Sequence, residues 1–335
     1  MTDVKPVSYK KHFLIMGFLV ALSFCVSLTV GRYPLTLSDI FAIIFGGEIS
    51  DISRSVFLTL RLPRTIVALL AGLALGLVGS VFQLVFRNPL AAPDIVGVTS
   101  GANLGAAFAV VTFGHSVLLM SASAFFMSIL SVMFVVLIAR LTRGGSTASF
   151  ILAGIVMRAI SDAFIMILRF YADPERELAA IDYWSMGSLG NITASRLTAI
   201  LPFFLVGVVC IILMRRQISL LGLEDFESRT LGVRVRHIRF AVLCFSALTV
   251  ASIISITGPI AFVGLIAPHV ARLAIKRVSF AWGALSALIG AFILLFSDTV
   301  IRGISPVEIP ISIPTTLVGV PILLYFMWKR KVGRV

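Results

Sequence analysis

Long apolar runs separated by short charged or Gly/Pro-containing joints set the rhythm of this chain. They fall at 13–30, 62–85, 95–112, 117–139, 149–170, 197–214, 238–257, 260–274, 281–300 and 315–328, and the pattern predicts ten membrane-spanning helices. A straight helical span needs about 20 apolar residues. Several runs are shorter, and those at 260–274 and 315–328 begin beside Pro259 and Pro314, which predicts local breaks or re-entrant starts. The first run is longer than a signal-peptide core and ends in Gly31-Arg32-Tyr33-Pro34 without a small-residue cleavage site, so it reads as a retained helix.

Residues 61–105 organise the rest. Small residues recur at a four-residue step as Ala68, Gly72, Gly76 and Ser80, and again as Gly97, Gly101, Gly105 and Ala109. That step keeps them on one helix face and predicts two helices in close backbone contact, either with neighbours in the same chain or with a second subunit. Taken alone, Arg61 and Arg64 at the start read as interface anchors, and Asn88-Pro89 at the end reads as a helix stop. Two loops exceed simple turns. In 31–60, LTLSDIFAIIF predicts a short interfacial helix with Ser38 as its N-cap. In 215–239, Gly222 and Gly232 punctuate one or two short amphipathic helices that either lie on lipid or dock a cytoplasmic partner. Glu224, Asp225 and Glu227 favour the partner, because an anionic leaflet repels them. Residues 249–272 weakly echo 68–89, which suggests an inverted internal repeat.

Composition agrees with a single transmembrane domain over 1–335. Hydrophobic residues make up 59% and charged residues 13% of the chain, with mean hydropathy +1.07. The net charge of +13 comes without a long basic run interleaved with aromatics, so a nucleic-acid partner is not expected. Orientation accounts for it better. With residues 1–11 in the cytoplasm, most of the 28 Lys and Arg residues, including those of 215–239, fall on the cytoplasmic side. Asp39, Glu48, Asp51, Asp173, Asp182, Asp298 and Glu308 fall outside, so both termini are expected to be cytoplasmic.

Candidate chemistry is sparse. The three cysteines and four histidines have no metal-ligand spacing, and no cofactor is expected. No phosphate-binding G-x-x-x-x-G-K-[ST] motif occurs, so any ATP is hydrolysed by a partner. Asp94, Asp162 and Asp298 are the carboxylates near spans, a poor supply for a proton relay, which disfavours an ion-driven transporter. Arg158 and Asp162 lie four apart within one span, where ionisable groups are costly. They either face a transport path or neutralise each other while holding neighbouring helices. Clustered catalytic residues are lacking, so an embedded enzyme is not expected.

Several motifs, in this order, resemble the FecCD-type permeases, the membrane subunits of type II ABC importers for iron-siderophore, haem and cobalamin. They are Arg61-Leu62-Pro63-Arg64; Asn88-Pro89-Leu90-Ala91-x-Pro93 followed by Gly97-Val98 and Gly101-Ala102; Gly258-x-Ile260-x-Phe262-Val263-Gly264-Leu265-x-x-Pro268-His269-x-x-Arg272; and Ser297-Asp298 with Pro310-Ile311. The resemblance implies an all-α fold of ten spans, a second permease subunit that is a copy or a paralogue, ATP-binding subunits below and an extracytoplasmic substrate-binding protein above. It implies that Arg61, Arg64 and Arg302 are exposed guanidiniums that meet carboxylates of the binding protein. It places ATPase coupling on 220–233, with Gly222, Glu224, Asp225, Phe226, Glu227, Ser228, Arg229, Leu231 and Gly232, although Glu224-Asp225-Phe226 departs from the family's Gly-Glu-Glu start. It places an inner gate at Asn88, Pro89 and Leu90. The span that holds Arg158 and Asp162 lines the path in this family, but the pair itself is not typical of it. The expected cargo is an iron-siderophore complex, with haem or cobalamin as the alternative.

Overall fold

The computed structural model describes residues 9–114, 116–142, 147–223, 225–232, 234–275 and 279–332, and no strand occurs among them. Helix α1 (Lys10–Thr29) precedes the short α2 (Leu37–Phe45) and α3 (Asp51–Ser55), and a π-helical turn, Val56–Arg61, leads into α4 (Leu62–Val85). A 3-10 turn, Pro93–Val96, precedes α5 (Val98–Phe113), followed by α6 (Val117–Leu141), α7 (Thr147–Tyr171) and the short α8 (Glu177–Ser185). Helix α9 (Ala194–Leu213) leads through α10 (Arg215–Leu221) and α11 (Asp225–Thr230) to α12 (Val235–Thr257), α13 (Val263–Ala274), α14 (Phe280–Ile304) and α15 (Ser312–Val332).

Among the described residues, 7 segments are long and apolar enough to cross a membrane. Helices α5 and α13 and the first part of α15 are shorter apolar helices, and together with those segments they account for the predicted runs. The break expected at Pro259 is real: α12 ends at Thr257 and α13 begins at Val263, with Phe262 turned to a left-handed φ of 66°. The N-cap of α2 is Thr36 rather than Ser38. Its hydroxyl accepts from the Asp39 N–H at 3.2 Å while the Asp39 carboxylate accepts from the Thr36 N–H at 2.8 Å, a reciprocal capping box. The Thr36 backbone N–H, and then its hydroxyl, hold the Asp39 carboxyl below the usual carboxylate range. Phe41, Ile44 and Phe45 of this helix are exposed, as an interfacial helix requires.

Helix α4 is the axis of the bundle and packs against α12, α13 and α14. Its small residues explain how. A Cβ placed on Gly72 would lie 2.4 Å from the Gly290 carbonyl oxygen, and one on Gly76 would lie 2.1 Å from that of Ser286, both on α14. One turn on, Gly79 meets the carbonyl of Gly264 on α13. The neighbours of the four-residue series are thus helices of the same chain. The second series behaves likewise, with Gly101 and Gly105 against the Met127 and Ser123 carbonyls of α6. The echo between 68–89 and 249–272 falls on unlike elements: 68–89 lies in α4 and its terminal turn, whereas 249–272 spans the end of α12, the break and most of α13; the two stretches touch at Gly79 and Gly264.

Because backbone atoms cannot yield as a flexible side chain does, Gly76→Ala should cost about 1–3 kcal/mol of stability. Gly17→Ala on α1, with nothing within 4 Å of the new methyl, should be neutral. Apparent melting temperatures of the two variants in detergent, read against the unaltered chain, check both statements.

Candidate functional site

One end of α4 enters a buried charge network. The π-helical turn that precedes α4 points Arg61 across to the C-terminus of α1, where the last carbonyls lack helical partners. Arg61 Nη1 donates to Thr29 O at 2.9 Å and Leu28 O at 3.3 Å, and Nη2 donates to Tyr33 O at 2.7 Å. Arg302, in the last turn of α14, completes the cap through Val30 O at 2.8 Å, Ser27 O at 3.1 Å and Ser27 Oγ at 2.5 Å. Arg64 lies between two carboxylates. It donates to Asp298 Oδ1 from Nε at 2.9 Å and Nη2 at 2.7 Å, and to Glu308 Oε2 from Nη1 at 3.0 Å. Arg302 Nε lies 2.9 Å from Asp298 Oδ2, close enough for an ion pair but off the line of a hydrogen bond.

This arrangement corrects the expectation of exposed guanidiniums. Arg61 is 5% exposed, and the side chains of Arg64, Arg302 and Asp298 are 13%, 9% and 1% exposed. Their first task is internal, since a charge taken out of water must be paired and hydrogen-bonded. The network nevertheless opens outward. A depression of about 280 Å³ is lined by Arg32, Arg61, Arg64, Arg302 and Glu308, with Arg32 exposed and Glu308 partly so. Three arginines, Arg61 buried and Arg64 and Arg302 partly so, against two carboxylates leave an excess of positive charge there. The role of Asp298 as their common partner was not anticipated. The signal available was its position four residues before Arg302 on one helix.

The other end of α4 stops in a Schellman arrangement, with Asn88 N bonded to Gln83 O, Arg87 N to Leu84 O, and Arg87 at a left-handed φ of 48°. Asn88 Oδ1 then accepts from Leu90 N at 2.9 Å and shapes the turn, which leaves Leu90 exposed. Asn88, Pro89 and Leu90 stay at this end, but Pro93 does not. It packs, with the carbonyl of Leu75, around Gly264, and Leu75 lies about 15 Å along α4 from its Val85 end. The segment is therefore re-entrant and meets the 258–262 break. Such irregular backbone needs partners within the protein. Ser131 Oγ donates to Gly97 O at 2.7 Å, and Ser312 Oγ donates to Pro259 O at 3.1 Å. Between the breaks a cavity of about 560 Å³ is lined by Asp94, Thr99, Pro259, Ser312 and Thr316, with the Thr99 hydroxyl donating to Asp94 Oδ1.

Helix α10 lies against this same end of α4, with Gly222 beside Leu84, and α11 packs on α10 and α12; Ser228, 1% exposed, donates to Leu220 O at 2.7 Å to tie the two short helices together. Glu227, Leu231 and Gly232 are exposed, Leu231 at 60%. Glu224 and the side chains of Asp225, Phe226 and Arg229 lie outside the described residues. Arg158 and Asp162 form a pair on the outward face of α7, with Nε and Oδ2 3.7 Å apart and both side chains more than half exposed. They are separate from the charge network. Among the described residues no group of three or more His, Cys, Asp and Glu side chains could hold a metal ion.

Comparison with known proteins fits these features. The FecCD transport family matches residues 19–329. The molybdate import system permease protein MolB of Haemophilus influenzae is 33% identical over 98% of this chain and 99% of its own length. The ferric enterobactin transport system permease protein FepG of Escherichia coli is 33% identical, covering 93% of this chain and 95% of its own. A solved structure of an ABC transporter in an inward-facing conformation superposes with a TM-score of 0.86 at 31% identity, over 96% of this chain and 99% of that one. The chain belongs to the FecCD transport family and is a membrane-embedded permease subunit of an ABC importer.

Proposed function

We propose that this permease carries an iron-siderophore complex across the cytoplasmic membrane, paired with a second permease subunit and driven by separate ATP-binding subunits. The observation that carries the reading is the layout of α4, with a net-positive depression at one end and the α10–α11 shelf at the other. The positive end suits an acidic, extracytoplasmic substrate-binding protein. Arg32 at the rim would steer it, and a carboxylate of the partner would compete with Glu308 for Arg64. The shelf suits the ATPase: exposed Leu231 offers an apolar contact, and a push on α10 reaches the end of α4 and the re-entrant 88–97 segment next to it. The basic residues of 215–239 favour a cytoplasmic place for this end, with both termini on that side.

Arg158 and Asp162 support the second subunit, because a charge pair on an outward helix face is costly against hydrocarbon and is relieved when another protein surface or a water-filled path covers it. The 3.7 Å pairing also compensates the arginine, which weakens any preference for anionic cargo. The similarity to FepG supports a ferric siderophore, and the similarity to MolB makes molybdate the competing cargo.

Three outcomes follow. Uptake of labelled ferric catecholate and citrate complexes should fall to background when this chain is deleted while molybdate uptake is unchanged; the opposite pattern transfers the cargo assignment to the oxyanion. Leu231→Glu should leave the subunit folded in the membrane while abolishing uptake and ATPase association in pull-downs, and normal uptake would remove the shelf from the coupling role. Asp298→Asn, which strips Arg64 and Arg302 of their shared buried carboxylate, should cost about 3–5 kcal/mol. Glu308→Gln, at a 27% exposed position, should cost clearly less in the same thermal unfolding assay.

A further inference from the structure

The side of the molecule formed by α5, α6, α7 and α12 carries a feature that the transport reading leaves unused. A groove of about 600 Å³ runs along α6, lined by Leu130, Met133 and Leu137, by Phe164 of α7, and at its end by Arg140 and Phe240. Its walls are apolar, and Leu130, Met133, Leu137 and Phe164 are each more than half exposed, so the subunit itself does not fill it. Among the described residues that line it, Arg140 is the only charged one. The guanidinium stacks over the Phe240 ring, 4.2 Å from the centroid, and among the described residues no carboxylate is in ion-pair range of it.

From this geometry we infer that the groove is a binding site for an anionic glycerophospholipid, with one acyl chain along α6 and the phosphate on Arg140. The dimensions match. From Met127 to Arg140 the groove follows α6 for about 20 Å, and one leaflet of hydrocarbon is about 15 Å deep. A chain can therefore lie full length with its headgroup level with Arg140. Contact with Phe240 positions the guanidinium, whose several N–H donors can meet a phosphate as a fork that an ammonium cannot copy. Charge favours an anionic over a zwitterionic lipid, because the same end of the molecule also exposes Arg215, Arg216, Arg234 and Arg236. The inference rests on membrane embedding and on a groove that a second subunit leaves uncovered, and it does not depend on cargo or orientation.

The test is native mass spectrometry of the full chain in mixed micelles, titrated with phosphatidylglycerol or phosphatidylethanolamine. One phosphatidylglycerol should be retained in preference to phosphatidylethanolamine. Arg140→Gln should lower its apparent affinity about fivefold, and Arg140→Lys, which keeps the charge but loses the planar fork, should lower it by a smaller factor. Met133→Trp, which fills the groove but leaves the charge in place, should lower retention of both lipids. Melting temperature and monodispersity identify a variant that fails to fold, in which case the remaining variants carry the comparison. Equal retention of the two lipids by the unaltered chain would overturn the site. So would unchanged phosphatidylglycerol binding by folded Arg140→Gln and Met133→Trp variants, or a disulfide between Met133→Cys copies in native membranes, which would show that a second copy of the chain covers the groove.

Discussion

The contact between the backbones of α4 and α14 fixes the register on which the chemistry of this subunit depends. Gly72 lies on Gly290 and Gly76 on Ser286, which sets two antiparallel helices at one translation relative to each other. About two turns from Gly72 towards the start of α4, and the same distance from Gly290 towards the end of α14, the pairing brings Arg64 onto Asp298. The ion pair follows from the glycines. A side chain at Gly72 or Gly76 would separate the helices and draw the guanidinium away from its carboxylate.

The charge network in turn fastens elements that apolar packing holds weakly. Only 11% of the apolar window of α1 is buried inside the subunit, and a membrane offers no hydrophobic reward for helix association. Arg61 and Arg302 compensate by donating to the carbonyls of residues 27 to 30 and to Tyr33, where a helix end is most in need of donors. Asp298 then offsets the charge thus brought inside. Glu308 adds a second carboxylate from the loop after α14, and it is the one member of the network that retains appreciable contact with solvent.

Much of this could be read from the sequence, because apolar run length and small-residue spacing are local properties. The runs located the helices, and the steps at Gly72, Gly76, Gly101 and Gly105 correctly announced backbone contact. The identity of the partner was not local. Nothing near residue 72 points to residue 290, so the choice between an internal neighbour and a second subunit stayed open. The burial of the arginines is equally non-local: the family resemblance implies exposed guanidiniums, and only the α4–α14 register places a carboxylate and the end of α1 within reach. Asn88-Pro89 marked a helix stop, but the depth to which Pro93 returns is set by Gly79, Gly264 and Ser131 on other elements. At Thr36 and Ser38, two hydroxyls two residues apart compete as caps, and the reciprocal bond from Asp39 decides for the earlier one.

The capping of α1 also has a temporal side. The donors for its terminal carbonyls come partly from Arg61 and partly from Arg302, which stands 275 residues after Ser27 in the chain. Helices emerge from synthesis in order, so α1 occupies the bilayer through the production of nearly the whole subunit before its end is sealed. Until α14 arrives, Ser27 and Val30 can satisfy their carbonyls only with water or headgroups. Closure of this cap therefore waits for the end of α14, with only α15 still to follow, and a chain cut short before Arg302 would keep the Arg61 half of the cap and lack the donors to Ser27 and Val30.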